Sequence, residues 1–147
     1  MAIGVNNVTI LGNITRDPEL RFTPNGTAVV VFGLAVNRSI RDKKSGEWQD
    51  EVDFFNVTAW FKLAENCAES LTKGDRVLVS GRLSQDRWED KEGQKRSTVK
   101  ITASIVAPSL EFASCKLEKN PKMDNSGVSA PASKGEVVDF TDEDIPF

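Results

Sequence analysis

Histidine is absent from this 147-residue chain, which removes the imidazole from any acid/base or metal-binding scheme. Its two cysteines, Cys67 and Cys115, form no CxxC pair. They read as packing or surface thiols in a reducing compartment rather than as a zinc or redox site. No stretch approaches the roughly 18 apolar residues of a membrane span. The start, MAIGVNNVTI, lacks the basic opening and apolar run of a secretory signal, so a cytoplasmic location and no membrane partner are expected. There is no GKS or GKT phosphate loop and no internal repeat, and the acids are scattered through turns. An enzyme is therefore disfavoured, and neither a cofactor nor a metal is called for.

What is present suits one soluble domain with an appendage. Hydrophobic residues make up 39% and charged residues 28%, enough for a core and an ordinary surface. The net charge of -3 is unevenly spread: residues 1–110 hold 15 Lys and Arg against 14 Asp and Glu, whereas residues 111–147 hold 4 against 8. The acidity belongs to the tail, and the body is free to bind an anionic polymer wherever its cations gather.

Val5 to Ile14 alternates Val8, Ile10, Gly12 and Ile14 against Thr9, Leu11 and Asn13, which predicts a first strand. Gly12 marks a bulge or a close backbone approach. Asp17-Pro18 and Pro24-Asn25-Gly26 then make a turn-rich hairpin connection. Ala28 to Val36 is a second strand, apolar enough to be buried on both faces. Asn37 to Glu51 is polar and aperiodic and reads as a long projecting loop.

The third strand, VDFFNVTAWF from Val52 to Phe61, divides by period two. Phe55, Val57, Ala59 and Phe61 form a core row. Phe54, Asn56, Thr58 and Trp60 form a wet row in which two large rings flank an amide and a hydroxyl. Next, Leu63, Cys67, Ala68 and Leu71 recur at helical spacing, with Lys73-Gly74 as the stop. A fourth strand follows, with Val77, Val79, Gly81 and Leu83 inward and Arg82 outward. A second polar hairpin, Gln85 to Ser97, leads to a fifth strand with Val99, Ile101, Ala103 and Ile105 inward. Leu110 and Phe112 alternate in the manner of a further short strand reaching to about residue 117. From about residue 118 to residue 135 the chain is a polar linker. Residues 136–147 then hold five acids and no base before Ile145, Pro146 and Phe147.

Three strands, a helix and two strands match the order of an OB-fold: all-β with one short helix in a five-stranded barrel, here followed by a disordered acidic tail. The side chains sharpen this. Phe54, Trp60, Trp48 and Trp88 stand among Arg38, Arg41, Lys43, Lys44, Lys62, Arg82, Arg87, Lys95 and Arg96, with Asn56 between the rings of the third strand. Rings stack on unpaired bases and cations track phosphates, so this mixture suits single-stranded nucleic acid bound without sequence readout. Arg16 and Arg21 have no tryptophan neighbours in sequence and read as solvated turn residues. An OB-fold nuclease lacks any legible metal or acid/base cluster. An OB-fold RNA-binding or assembly factor stays open, because nothing in the sequence reads a 2′-hydroxyl.

The segments GVNNVTILGNITRDPELRFTPNGTAV, VDFFNVTAWFKLAEN, SLTKGDRVLVSGRL, RWEDKEGQKR and DEDIPF together resemble the bacterial single-stranded DNA-binding protein family. ELRFTPNGTAV and APSLEFASCKL are nearest in wording to its actinobacterial branch. The resemblance implies a nucleoid-associated homotetramer that wraps single-stranded DNA in replication, recombination and repair, with Phe54, Trp60 and Trp88 as stacking residues. Where many relatives carry another Trp at the end of the second strand, this chain has Ile40, which removes that stacking position unless Trp48 supplies it. It further implies that Asp142, Glu143, Asp144, Ile145, Pro146 and Phe147 dock into basic apolar pockets on replication and repair proteins. The 16 residues from Asn120 to Gly135 would span about 20 to 24 Å as a flexible chain, a short tether that suits a specialised paralogue.

Overall fold

Alternating apolar residues along long strands have to close on one another to hide their inner rows, and the computed structural model, which describes residues 1–121, shows how they do so. The elements are β1 (Val8–Ile14), β2 (Glu19–Phe22), β3 (Ala28–Arg41), β4 (Trp48–Trp60), α1 (Phe61–Ser70), β5 (Arg76–Glu89) and β6 (Lys95–Pro108). Hydrogen bonding runs in the order β1-β5-β6-β4-β3-β2, and β1 also pairs with β3. That last pairing closes β1, β5, β6, β4 and β3 into the five-stranded barrel expected from the sequence. β2 is a sixth strand outside the ring, on the outer edge of β3. It occupies the middle of what the turn signals predicted to be a plain connection: Leu20 and Phe22 were too short a pattern to stand out between two prolines.

The barrel is filled by Val30, Phe32 and Leu34 of β3, Val57 and Ala59 of β4, Val77 and Val79 of β5 and Ile101 and Ala103 of β6, with Ile14 from β1. On β3 and β4 the inner rows face each other as Val30 with Ala59, Phe32 with Val57 and Leu34 with Phe55. Gly12 is the close approach suspected from sequence, since a Cβ there would run into the carbonyl oxygen of Ala35 where β1 closes on β3.

Several inward expectations fail, for two separate reasons. Ile105 is exposed because the β5/β6 register slips between Ser80 and Gly81: Ser80 faces Ile105 while Gly81 faces Ala103, leaving Ser104 as an extra residue. One inserted residue inverts the parity of a strand, so Val106 packs against the core in place of Ile105. Phe55, Leu83 and Val99 keep the inward parity but lie where the barrel ends, and each is partly open to solvent. Beyond them β3 and β4 continue as a two-stranded ribbon, as do β5 and β6. The loop expected over Asn37 to Glu51 is therefore mostly strand, paired as far as Arg41 with Trp48, and the turn proper is residues 42–47. The second hairpin is likewise ladder out to Glu89 with Lys95.

The helix packs on the barrel through Ala64 and Cys67, with Leu71 at its C-cap also buried. Burial lifts the Cys67 thiol to about 11, so it stays protonated and inert at neutral pH. Phe61, placed by alternation in the core row, is the first helical residue and is 69% exposed. Its φ of 61° lies in the left-handed region, which turns the chain out of β4 and breaks the period-two pattern. The helix ends at Leu71 rather than at Lys73-Gly74. Gly74 instead serves the following turn, where its N–H donates to the Ile14 carbonyl.

Past Pro108 the described residues form no strand. The segment is held back instead: the Ser109 N–H donates to the Arg76 carbonyl, Arg76 Nε donates to Glu111 at 3.1 Å, and the Arg76 guanidinium sits 5.9 Å from the Phe112 ring centroid. The chain divides into a unit Met1–Cys115 and a second, Lys116–Phe147. The linker from residue 122 and the acidic segment lie outside the described residues.

Candidate nucleic-acid interface

Register alone places the central residues. On β4, Phe54, Asn56 and Thr58 face outward opposite Ala35, Gly33 and Val31 of β3. Phe54 is 73% exposed and Asn56 is exposed, whereas Thr58, expected to be wet, is 4% exposed and Trp60 is half-buried at the start of the helix. The wet row is thus shorter than its alternation implied. Across the sheet the same outer level runs from Thr58 to Thr102 of β6 and on to Arg82 of β5. Arg82 therefore stands two strand spacings from β4, about 10 Å, and is exposed.

The other rings sit at the ribbon tips, and the two tips are built alike. At the β3/β4 tip Arg41 pairs in register with Trp48, and at the β5/β6 tip Arg96 pairs with Trp88. Each turn is locked by an aspartate. Asp42 Oδ1 accepts from the Lys44 N–H at 2.9 Å and Oδ2 accepts from the Ser45 hydroxyl at 3.1 Å. Asp90 Oδ1 accepts from the N–H groups of Glu92 and Gln94, and Oδ2 accepts from Arg96 Nε at 2.9 Å. The Lys44 N–H, then Ser45, hold the Asp42 carboxyl below the usual range. The Arg96 guanidinium, then the Gln94 N–H, do the same for Asp90. Beside Trp88 lies an open cleft of about 500 Å³ lined by Gln85, Arg87, Glu89, Lys95, Arg96 and Ser97.

The cations picked out by sequence differ in how free they are. Arg38 donates to Glu51 at 2.7 Å and to Asp53 at 2.8 Å, so two carboxylates neutralise it and its surroundings are net acidic. Lys62 lies 3.5 Å from Glu65 on the helix, and Arg96 is tied to Asp90. Arg41 donates to the Gly46 carbonyl and Arg87 to Gln85, neither of which cancels charge. Among the described residues Lys43, Lys44, Arg82 and Lys95 join no ion pair, and Lys43, Lys44 and Lys95 crowd the tips. Ile40, at the expected end-of-strand position, faces Gln49 next to the Arg41–Trp48 pair.

Two residues on this surface escaped the sequence reading. Arg16, from the hairpin after β1, reaches over Gly33 to Asn56, its Nη2 3.5 Å from Asn56 Oδ1. Lys100 of β6 shares with Asn56 the rim of a groove of about 330 Å³, otherwise lined by Phe55, Leu83, Val99 and Ile101, and it pairs with Asp86 at 2.9 Å. Lys100 sits in a cleanly alternating strand, where its polar phase was visible but its neighbour on β4 was not. Arg16 carried no local signal at all.

The profile of the Single-strand binding protein family matches residues 5–111. A single-stranded DNA-binding protein of Paenarthrobacter aurescens is 40% identical over 148 residues, spanning 98% of this chain and 86% of that protein. One from Mycobacterium tuberculosis is 48% identical over 117 residues, spanning 79% of this chain and 71% of its own length. Among solved structures, a Plasmodium falciparum SSB in complex with ssDNA superposes with a TM-score of 0.69 at 22% identity, covering 74% of this chain and 98% of that one. At that identity the likeness concerns the fold, which is the same barrel.

Proposed function

Because the chain belongs to the single-strand binding protein family, we propose that it binds single-stranded DNA without reading its sequence, protecting it in replication, recombination and repair. Members of the family are binding proteins rather than enzymes. The observation that carries the reading is the placement of exposed rings beside cations on rigid strands: Phe54 on the outer face of β4, Trp48 beside Arg41 and Trp88 beside Arg96 at the tips. Bases stack on the rings, and Lys43, Lys44, Arg82, Arg87 and Lys95 follow the phosphates, with Asn56 at the centre of the face. Trp60, half-buried, contributes an edge, and Arg38 and Lys62, already paired, contribute least.

Two finer features accompany this. The groove at the barrel mouth is lined by Phe55, Leu83 and Val99, all partly exposed, and it suits cover by a second copy of the chain in a homotetramer. The acidic run Asp142 to Asp144 followed by Ile145, Pro146 and Phe147 suits a basic apolar pocket on replication and repair proteins of the nucleoid.

Titrating the protein with poly(dT) at two salt concentrations, with tryptophan emission as the readout and light scattering for mass, tests the reading. Saturable quenching that weakens with salt is expected, with a log-log slope near -0.7 per phosphate contacted. Removing residues 142–147 should leave DNA affinity equal or higher and abolish capture of partner proteins. Emission unchanged by poly(dT) would sink the proposal.

A further inference from the structure

Arg16 is the residue whose position in the fold most exceeds what its sequence neighbours announced. The Thr15 N–H donates to the Gly33 carbonyl at 3.0 Å, which continues the β1–β3 pairing past Ile14 and pins the start of the hairpin to the edge of β3. A Cβ on Gly33 would collide with Thr15 Oγ1 and lie 3.5 Å from Arg16 Nη1. The missing side chain at Gly33 thus makes room for the Thr15 hydroxyl, which seats the hairpin on β3 and brings the Arg16 guanidinium to van der Waals distance from the same spot. Gly33 pairs in register with Asn56, and Asn56 is two residues from Phe54, about 7 Å along the strand.

The guanidinium is underused there. Among the described residues its one hydrogen-bond partner is Asn56 Oδ1 at 3.5 Å, long for a hydrogen bond, and it joins no ion pair. By contrast Arg21 is closed by Glu19 at 2.8 Å and Arg38 by two carboxylates. A guanidinium offers five N–H donors in a planar fork that matches two oxygens of a phosphate. Resting on the sheet beside an exposed ring, it is held where the backbone of a nucleotide stacked on that ring would pass.

Building on the single-stranded DNA reading, we infer that Arg16 is a phosphodiester-binding residue at the centre of the β3/β4 face, gripping the strand next to the base stacked on Phe54. Gly33 makes the space for Thr15, which anchors the hairpin, and Asn56 is the polar group of the sheet that the fork reaches.

The test is the salt dependence of binding to a dT oligomer of one fixed length, measured on the full chain. Arg16→Gln should reduce the magnitude of the log-log slope by about 0.7 per engaged protomer and weaken binding equally for oligomers of other base composition. Arg16→Lys should keep most of the slope, and the thermal midpoint should not move. Arg21→Gln, on the same hairpin but with its charge already paired, should leave the slope at the wild-type value. Asn56→Ala should keep the slope as well, because a neutral side chain contributes no counterion release. If Arg16→Gln retains the wild-type slope while Phe54→Ala still weakens binding, the Arg16 assignment is overturned and the DNA-binding reading stands. If the wild-type chain does not bind the oligomer, both fall.

Discussion

Truncating Phe54 to alanine should cut affinity for single-stranded DNA while leaving the barrel intact, and truncating its neighbour Phe55 should do the reverse. The two rings point to opposite sides of β4. Phe54 faces outward opposite Ala35 and is 73% exposed, whereas Phe55 faces Leu34 on the inner row and is 36% exposed. A ring that stacks one base contributes roughly 1 to 3 kcal/mol. Phe54→Ala should therefore raise Kd by between about fivefold and about 150-fold, and a side chain this exposed should change stability by no more than about 0.5 kcal/mol. Phe55→Ala removes part of the packing at the barrel mouth. A fully buried Phe costs about 3 to 5 kcal/mol on truncation, and Phe55, open on one side, should cost roughly half that.

Dissociation constants from anisotropy of labelled oligo(dT), paired with urea denaturation of each variant, separate the two effects. Light scattering on Phe55→Ala adds a third readout, because loss of the ring should also loosen any contact that covers the groove. If Phe54→Ala binds with wild-type affinity, the outer row of β4 is not a stacking platform. If both variants lose affinity and stability together, the division of the strand into two environments is wrong.

Acid should undo the hairpin tips before it undoes the barrel. The Asp42 and Asp90 carboxyls are held low in the folded state, so their contribution is complete above an unfolded value near 4 and fades as pH falls through the lower folded values. Emission from Trp48 and Trp88 should shift in that window while far-ultraviolet dichroism persists; Asp42→Asn with Asp90→Asn should remove the shift, and an unaltered titration in that double variant would place its origin elsewhere. Phe61→Gly should leave the thermal midpoint unchanged or raise it by a few degrees, because a φ of 61° on an aromatic residue costs about 1 to 2 kcal/mol that glycine does not incur, against about 0.5 to 1 kcal/mol of extra chain entropy that glycine loses. A lower midpoint would mean that the exposed ring makes compensating contacts.

Sequence made the barrel legible because its centre obeys simple alternation. Val57 and Ala59, Val77 and Val79, and Ile101 and Ala103 all land inside as their parity required. What escaped was everything that breaks parity or crosses strands. Ser104 inverts the end of β6 without any unusual residue type to announce it. Phe61 leaves the strand through a backbone conformation that an aromatic side chain gives no reason to expect. The ribbons read as loops in the sequence because a two-stranded ladder with both faces wet needs no apolar period, and polar composition is the only local cue they carry. The rings proposed to stack bases are visible in the sequence from their company of cations, but the cations cannot be sorted there. Arg38 looked as free as Arg41 until Glu51 and Asp53 came across the hairpin to meet it, and Arg16 looked idle until the fold carried it to Asn56.

The distinction between loop and ribbon bears directly on how binding would work. β3 has 14 residues and β4 has 13, so each spans about 45 Å, far more than the few residues per strand that form the core. The surplus overhangs as twisted ribbons whose backbones are already hydrogen-bonded out to the Arg41–Trp48 and Trp88–Arg96 pairs. A ring mounted on such a ladder has little backbone freedom left to lose when a base stacks on it, whereas the same ring on a loop would give back part of its stacking energy as ordering entropy. The aspartates that lock the turns extend this rigidity to the tips. VDFFNVTAWF joins the two regimes within one strand: Val57 and Ala59 fasten it into the core, and Phe54 stands where β4 leaves the barrel wall, with the ribbon continuing to Trp48. Affinity assembled this way depends on ring faces and phosphate charge, which every nucleotide supplies, and so should vary little with base composition.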